Sequence, residues 1–589
     1  MAAALPSRRL APFFPPWLRA FVRTREVGLA LAAVGIGAVS GVLVAAMSDS
    51  AQLLHEIVFG VHQGQHLSGS FGLAHWRVLV GPALGGVVLT ALAYWARSRF
   101  PGRLFDAIEA NALHGGRMSF GGSLYITVQT VLSSGFGASV GLEAGYTQIG
   151  SAFASLMGRG LAARRNDMRL LVTCGAAGAI SAAFGAPLAG SFYGFELVLG
   201  AYSVGALVPV VASAIVANFV DGALAEHSYL ITSGPLAAVG PAEFAHVAVI
   251  AVLCAIGSIA VMQGVAVSER LFQKSRLPTG LRPVLGGLLV GGLGVLAPQV
   301  LGSGHGALQV NLLTNETVAL LASLVLMKML ASAISLGSGF RGGLFFASLL
   351  LGSLTGKLYA EAVTLYTPFK FDAGIAAIAG MAAFGTGVLG APITMTALAL
   401  ESTGNFSVTM AALVACVITA LGVRDTFGYS FATWRFHLRG ETIRGPHDIG
   451  WMRDMKVGRL MLKDARTVSG EVPISAARGM FPPGSVKQIV ALDGQGRYAG
   501  VVMTADLHAA EPDELAHPVQ SVAQMGNVWL LTDMTVKQAL DKFEQTESDV
   551  LAVVDSDASR KVVGILTEAH ALRRYGEELE RRNREMVFG

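Results

Sequence analysis

Apolar positions in the first three-quarters of the chain come in long runs, and polar positions fall between the runs rather than alternating with them. Runs of membrane length occupy residues 27–47, 77–96, 243–265, 282–300, 316–336 and 405–424. Shorter or glycine-broken runs lie between them, at 121–140, 144–157, 168–200, 204–220, 343–364, 372–389 and 391–401. A straight helix needs ~20 apolar residues to cross the hydrocarbon core, so many of these runs cannot cross alone. They predict helices that begin or end inside the membrane, which is tolerated only where the backbone is buried in protein or lines a cavity. Short, Gly/Pro-interrupted segments in both halves of a chain are the mark of transporters built from inverted repeats. AAFGAPLAGSFYGFEL (182–197) and AAFGTGVLGAPITMTALALE (382–401) support two related halves: each has a small-residue run, a Gly-Ala-Pro step and a glutamate at its end.

Past residue 445 the pattern changes to short alternating strands and polar turns. VKQIVALDGQGRYAGVVMTADLHAA (486–510) reads as strand, turn, strand, helix, and SDVLAVVDSDASRKVVGILTEAHALRRY (548–575) repeats that order. A helix-forming stretch precedes each, clearest in VKQALDKFEQT (536–546). The two units resemble a tandem pair of cystathionine-β-synthase-type (CBS) domains. The predicted fold is therefore an all-α polytopic membrane domain with broken helices and an inverted repeat, followed by a cytoplasmic α/β pair. Its parts are an N-terminal cytoplasmic segment (1–26), a membrane domain (27–440), a linker (441–452), the pair (453–576) and a charged tail (577–589).

Composition agrees. Of 589 residues, 53% are apolar and 14% charged, against about 25% charged in soluble domains. The net charge of +4 gives no ground for a nucleic-acid partner. Cys174, Cys254 and Cys416 lie far apart in apolar runs, so neither a zinc site nor a disulfide framework is expected. The run from Val27 is too long for a signal-peptide core. Arg8, Arg9, Arg19, Arg23 and Arg25 before it place the N-terminus in the cytoplasm, and Arg435, Arg439 and Arg444 do the same for the C-terminal side. An even number of full crossings of a bacterial inner membrane follows.

The chemistry concentrates in two glycine-rich stretches. GLEAGYTQIG (141–150) carries Glu143 inside apolar surroundings, where an ionised carboxylate costs roughly 2.5–3.5 kcal/mol on insertion scales. Gly141, Ala144 and Gly145 permit a tight turn into a helix, which puts Glu143 at a helix N-terminus, where free N–H groups favour negative charge. Such a place can also hold a free anion, so the glutamate reads either as a gate competing with the anion or as a plain N-terminal cap. SLGSGFRGGLFFASLLLGS (335–353) is a second glycine-rich loop feeding a helix start. There the N–H groups of Leu344 and Phe345 can face an anion; close helix packing through glycine is the other reading. Interior helix ends, rather than lysine or arginine clusters, are expected to make the electropositive site.

Together these stretches resemble the CLC chloride channel and transporter family. Its G(K/R)EGP pattern appears as Gly141-Leu142-Glu143-Ala144-Gly145, and its GGxFxP pattern as Gly342-Gly343-Leu344-Phe345-Phe346-Ala347. TCGAAGAISAAFGAPLAGSFYGFEL (173–197), AIAGMAAFGTGVLGAPITMTALALESTGNFSVTM (377–410) and GYSFATWRF (428–436) follow in the family's order. The resemblance implies a homodimer with one anion pore per subunit, with segments such as 204–220 and 405–424 at the subunit contact. It implies Glu143 as the gate, Leu344 and Phe345 as backbone donors, Gly141 and Ala144 beside them, and the Tyr429 hydroxyl on a central anion.

Three departures matter. PGRLFD (101–106) replaces the family's GSGIP loop, which puts Arg103 at or near the anion-binding serine; Arg103 as a loop charge reaching water is preferred. GSGHG (302–306) looks like the missing loop but comes in the wrong place. Leu142 replaces the basic residue before the gate. Leu197 replaces the family's internal proton-relay glutamate, which leaves Glu143 and the neighbouring Glu196 as the candidate proton path and favours a passive channel or loosely proton-coupled exchange over strict antiport. In the CBS pair each unit keeps half of the nucleotide motif, Asp506 in the first and Thr567 in the second. Adenine nucleotide and a purely structural role fit equally, and no cofactor is required.

Other classes are less well served. A divalent-cation transporter needs grouped acids along its pore, and Glu143, Glu196 and Glu401 are few. A membrane-anchored nucleotide sensor leaves the broken helices unexplained. No catalytic triad, metal cluster or phosphate loop supports an enzyme.

Overall fold

A computed structural model of the chain describes residues 14–62, 64–96, 99, 105–224, 236–314, 316–428, 430–431, 433–434, 455–574 and 577. Two compact units result, Met1–Asp448 and Ile449–Gly589.

Among the described residues of the first unit a short helix, α1 (Pro16–Thr24), precedes two series of eight. The first series is α2 (Glu26–Phe59), α3 (His75–Ala96), α4 (Ala107–Leu113), α5 (Phe120–Gly135), α6 (Glu143–Gly160), α7 (Arg165–Phe184), α8 (Pro187–Tyr193) and α9 (Val204–Leu224). The second is α10 (Pro241–Lys274), α11 (Arg282–Leu296), α12 (His305–Leu313), α13 (Val318–Ser338), α14 (Phe345–Tyr366), α15 (Ala373–Leu389), α16 (Pro392–Thr403) and α17 (Phe406–Thr426). The series match member by member: α2 and α10 both have 34 residues, and α9 and α17 both have 21. Among the described residues, α2, α3, α7, α9, α10, α13 and α17 are long and apolar enough to cross a membrane.

The likeness extends to contacts. Where α6 crosses α7, a Cβ on Gly150 would lie 2.6 Å from the Gly175 carbonyl oxygen; where α14 crosses α15, one on Gly352 would lie 2.2 Å from that of Gly380. Both crossings bring backbone against backbone, which only glycine allows. At Gly185 and Gly390 the chain turns through left-handed geometry, with φ of +63° and +77°, before Pro187 and Pro392 open new helices. Each of these starts is held by an acid from the other series. Glu196 accepts from the Ile393 and Thr394 N–H groups of α16 at 3.0 and 2.8 Å, and from the Thr394 hydroxyl at 2.5 Å. Glu401 accepts from the Leu188 and Ala189 N–H groups of α8 at 2.8 and 2.9 Å. Buried helix ends thus receive the acceptors that their free N–H groups require.

Several helix bounds differ from the hydrophobic pattern. α2 continues well past residue 47 because its polar residues turn inward: Ser48 bonds the Tyr146 hydroxyl at 2.7 Å and Gln52 donates to the Gln65 carbonyl at 2.8 Å. The run 282–300 yields only the 15-residue α11, since Ala297 precedes Pro298 and is forced into extended geometry. The run 204–220, which reads as short, is the uninterrupted α9.

The second unit holds two three-stranded sheets of one topology. In the first, β1 (Thr467–Ser469) runs parallel to β2 (Gln488–Leu492), which pairs antiparallel with β3 (Tyr498–Met503). In the second, β4 (Leu530–Leu531), β5 (Val550–Val554) and β6 (Val562–Thr567) repeat this order. Both carry a register shift near the end of the middle strand, at Ala491/Leu492 and Val553/Val554. Val490, Tyr498 and Val501 share a core with Val550, Ala552, Val554 and Ile565, so the sheets bury one face against each other.

Candidate functional site

The site forms where the two series meet. The loops before α6 and α14 lie antiparallel, with the Gly141 N–H donating to the Gly343 carbonyl at 2.9 Å and the Gly343 N–H to Gly141 at 3.1 Å. Serine side chains fix them further. Ser133 accepts from the Arg341 N–H and Ser335 from the Ser139 N–H, each at 3.0 Å. Two helix N-termini are thereby brought together inside the protein, and their free N–H groups make a place for negative charge.

Glu143 occupies that place. It is the first residue of α6 and is buried. Its Oε1 crosses to the other series and accepts from the Phe346 N–H, in the first turn of α14, at 3.1 Å. Its Oε2 has no hydrogen-bond partner among the described residues. A Cβ on Gly141 would lie 1.9 Å from Oε2, so only glycine leaves room for the carboxylate there. The side chain sits as a bound anion would, at the start of a helix to which it does not belong. Leu344 caps α14 and Phe345 is its first residue; the bond to Glu143 comes from Phe346, the residue after them. Ala144, in the first turn of α6, stands beside Gly343.

Aromatic rings wall the seat. The Phe345 ring lies 4.6 Å from that of Phe184 and is stacked 6.1 Å from that of Tyr193. The Phe346 ring meets the His305 imidazole, with centroids 3.5 Å apart. Gln148, about a turn beyond Glu143, donates to the Phe105 carbonyl and the Ser123 hydroxyl, each at 2.9 Å. Phe105 follows the segment that contains Arg103; Arg103 and Tyr429 lie outside the described residues.

A buried lysine is held by the loop that borders these helix starts. Lys328, in the middle of α13, is only 1% exposed, and its Nζ donates to the Val300 and Gly302 carbonyls at 3.1 and 2.9 Å. The loop that supplies the Gly302 carbonyl also carries His305, whose ring meets that of Phe346. The GSGHG loop thus holds Lys328 through the Gly302 carbonyl and meets Phe346 through His305. A lone lysine within VALLASLVLMKMLASAISLGS was the signal, since an ionisable residue in a membrane helix is a functional pointer by default.

Glu196 does not join this site through any hydrogen bond described; its carboxylate is taken up by the start of α16. In the second unit Asp506 accepts from Gln524 at 3.2 Å, and the Thr567 hydroxyl accepts from the His570 N–H at 3.3 Å.

A family model described as voltage gated chloride channel matches residues 85–424, more than half of the chain. The chain belongs to the CLC family. A CBS-domain model matches residues 522–577, and the sheet before it repeats the same topology. Among curated relatives, the voltage-gated ClC-type chloride channel ClcB of Salmonella typhimurium is 29% identical over 399 residues, covering 66% of this chain and 94% of its own. Among solved structures, a slow cyanobacterial Cl-/H+ antiporter superposes with a TM-score of 0.61 at 22% identity, over 70% of this chain and 97% of its own. A eukaryotic CLC transporter gives 0.59 at 16% identity, over 92% and 97%. CLC membership makes anion transport across a membrane the activity class of the chain.

Proposed function

We propose that this CLC protein conducts small monovalent anions of the chloride type, as a passive channel or a loosely proton-coupled exchanger, with Glu143 as the gate. One observation carries the reading: the Glu143 carboxylate accepts from the Phe346 N–H at 3.1 Å while its second oxygen goes unpaired. A permeant anion and this carboxylate compete for one seat, and exchange between them is the gating step. Weak binding by backbone dipoles lets the ion leave as well as arrive. Lys328 adds positive charge, which opposes a cation at the same place. Leu197 in place of a relay acid and the capping role of Glu196 support loose coupling. The reading also places both termini in the cytoplasm of a bacterial inner membrane and makes the protein a homodimer.

The test is efflux from liposomes with proton uptake recorded together. Glu143→Gln should change chloride efflux more than tenfold or abolish its pH dependence; unchanged efflux and unchanged proton movement would remove Glu143 from the gate. Strict antiport would appear as a fixed chloride-to-proton ratio in the unmodified protein.

At the CBS pair the polar groups of both half-motifs already have partners, Gln524 and the His570 N–H. This supports a structural role; saturable ATP binding to the full chain would instead establish a nucleotide site.

A further inference from the structure

On the membrane face that carries α1, the loop after α4 and the corner between α6 and α7 enclose a hollow of about 320 Å³, rimmed by His114, Arg117 and Arg165 over a floor of Leu113, Gly115 and Met168. That volume falls within the range of about 300–1,000 Å³ typical of small-molecule sites. The loop folds back through Gly115 and Gly116, both left-handed, with φ of +60° and +78°. The Met118 N–H pins the loop to Ser155 of α6 at 2.9 Å.

The charges around this hollow are of one sign. The Arg117 and Arg165 guanidinium groups make no hydrogen bond or ion pair among the described residues, and both are exposed at the rim. Arg159, whose Nε donates to the Ser155 carbonyl at 3.3 Å, stands close enough to Arg117 for the two to repel. The acid of the first turn of α7, Asp167, is not among the residues that line the hollow. Like charges converging on a concavity without a counter-ion call for an anion. Planar guanidinium forks each match two oxygens of one acceptor, so they suit an oxyanion with several acceptors better than a halide.

The surroundings indicate where such an oxyanion is presented. α1 (PWLRAFVRT) carries Arg19 and Arg23 along with Trp17, which is 70% exposed. A short helix of aromatic and basic residues leading into a crossing helix lies at headgroup level, and basic hollows between membrane helices at that level take lipid phosphates. We propose that the hollow bounded by Arg117 and Arg165 is a binding site for a phosphate-bearing anion, supplied by the headgroup of an acidic lipid or as free phosphate. The site is separate from the Glu143 seat and does not depend on the transport reading.

The experiment uses the full chain purified in a neutral detergent. Native mass spectrometry after addition of phosphatidylglycerol, cardiolipin or phosphatidylcholine measures lipid retention, and calorimetric titration with inorganic phosphate measures the free anion. Preferential retention of the acidic lipids, reduced at least tenfold in R117Q/R165Q but not in the loop control R276Q, assigns the headgroup. Phosphate binding that the same pair weakens assigns the free anion. Equal retention of all three lipids with no phosphate binding overturns the proposal, as does a double variant that binds like the unmodified protein. Helical circular dichroism checks the fold, and the single variant R117Q carries the same expectation at smaller size. Transport stays unaffected in either outcome, which keeps this test distinct from that of the gate.

Discussion

The starts of α6 and α14 occupy matching places in the two series, yet their first residues are Glu143 and Phe345. Each start follows a glycine-rich loop, and the loops are bonded to each other. One start contributes the acid and the other the N–H that receives it. The starts of α8 and α16 offer the opposite case, because there both series contribute a glutamate and both receive one. Reciprocal pairs such as Glu196 and Glu401 hold helix ends in place. An unreciprocated acid has a second oxygen to spare and a seat another anion can take. Broken symmetry, more than burial, separates Glu143 from the glutamates that cap helix starts.

This contrast can be broken in graded steps. The largest effect is expected from Gly141→Ala, whose Cβ would fall 1.9 Å from Glu143 Oε2; the loop is hydrogen-bonded on both sides, so the carboxylate must leave. Chloride efflux should then change about tenfold or more, and adding Glu143→Gln should change it little further. Strong additivity of the two variants would show that the carboxylate keeps its seat. Next, Lys328→Gln removes the buried charge while leaving a donor for the Val300 and Gly302 carbonyls. Efflux at low chloride should fall several-fold with the helical fold intact, and equal efflux would confine Lys328 to packing.

Glu196→Ala and Glu401→Ala test the reciprocal pair. Each strips charge-assisted bonds from a helix start, worth about 1.5–3 kcal/mol, so both should lower the melting temperature to a similar degree. If Glu196→Ala altered proton movement while Glu401→Ala did not, Glu196 would return as a proton relay. The smallest effect is expected from Thr567→Ala, which removes one side-chain acceptor near the surface and should shift stability by no more than about 1 kcal/mol. A loss of ATP binding in that variant would show that the hydroxyl serves a ligand.

The parts that could be read from residues alone were those in which one position contradicts its neighbours. Glu143 stands out because an acid in a glycine-rich apolar stretch needs a partner, and the helix after it was visible in its composition. Lys328 contradicts its neighbours just as strongly, but its partners are carbonyls from a distant loop, and the run around it stays apolar on average. The repeat was faint because it lives in backbone geometry: Gly150 and Gly352 match in position, while most residues around them do not. The partners of Glu196, Ile393 and Thr394, lie about a third of the chain away, so no local pattern announces them.

The paired bonds between Gly141 and Gly343 limit what can move when an ion passes. With both loops tethered at that point, hinging the two series apart would break both of those bonds. Swinging one side chain about its own torsions breaks only the contact to Phe346, a motion available in picoseconds to nanoseconds for unhindered groups and slower when packed. With Glu143 as the proposed gate, opening the pathway is a local event, and the bulk of the membrane domain can remain rigid throughout a transport cycle.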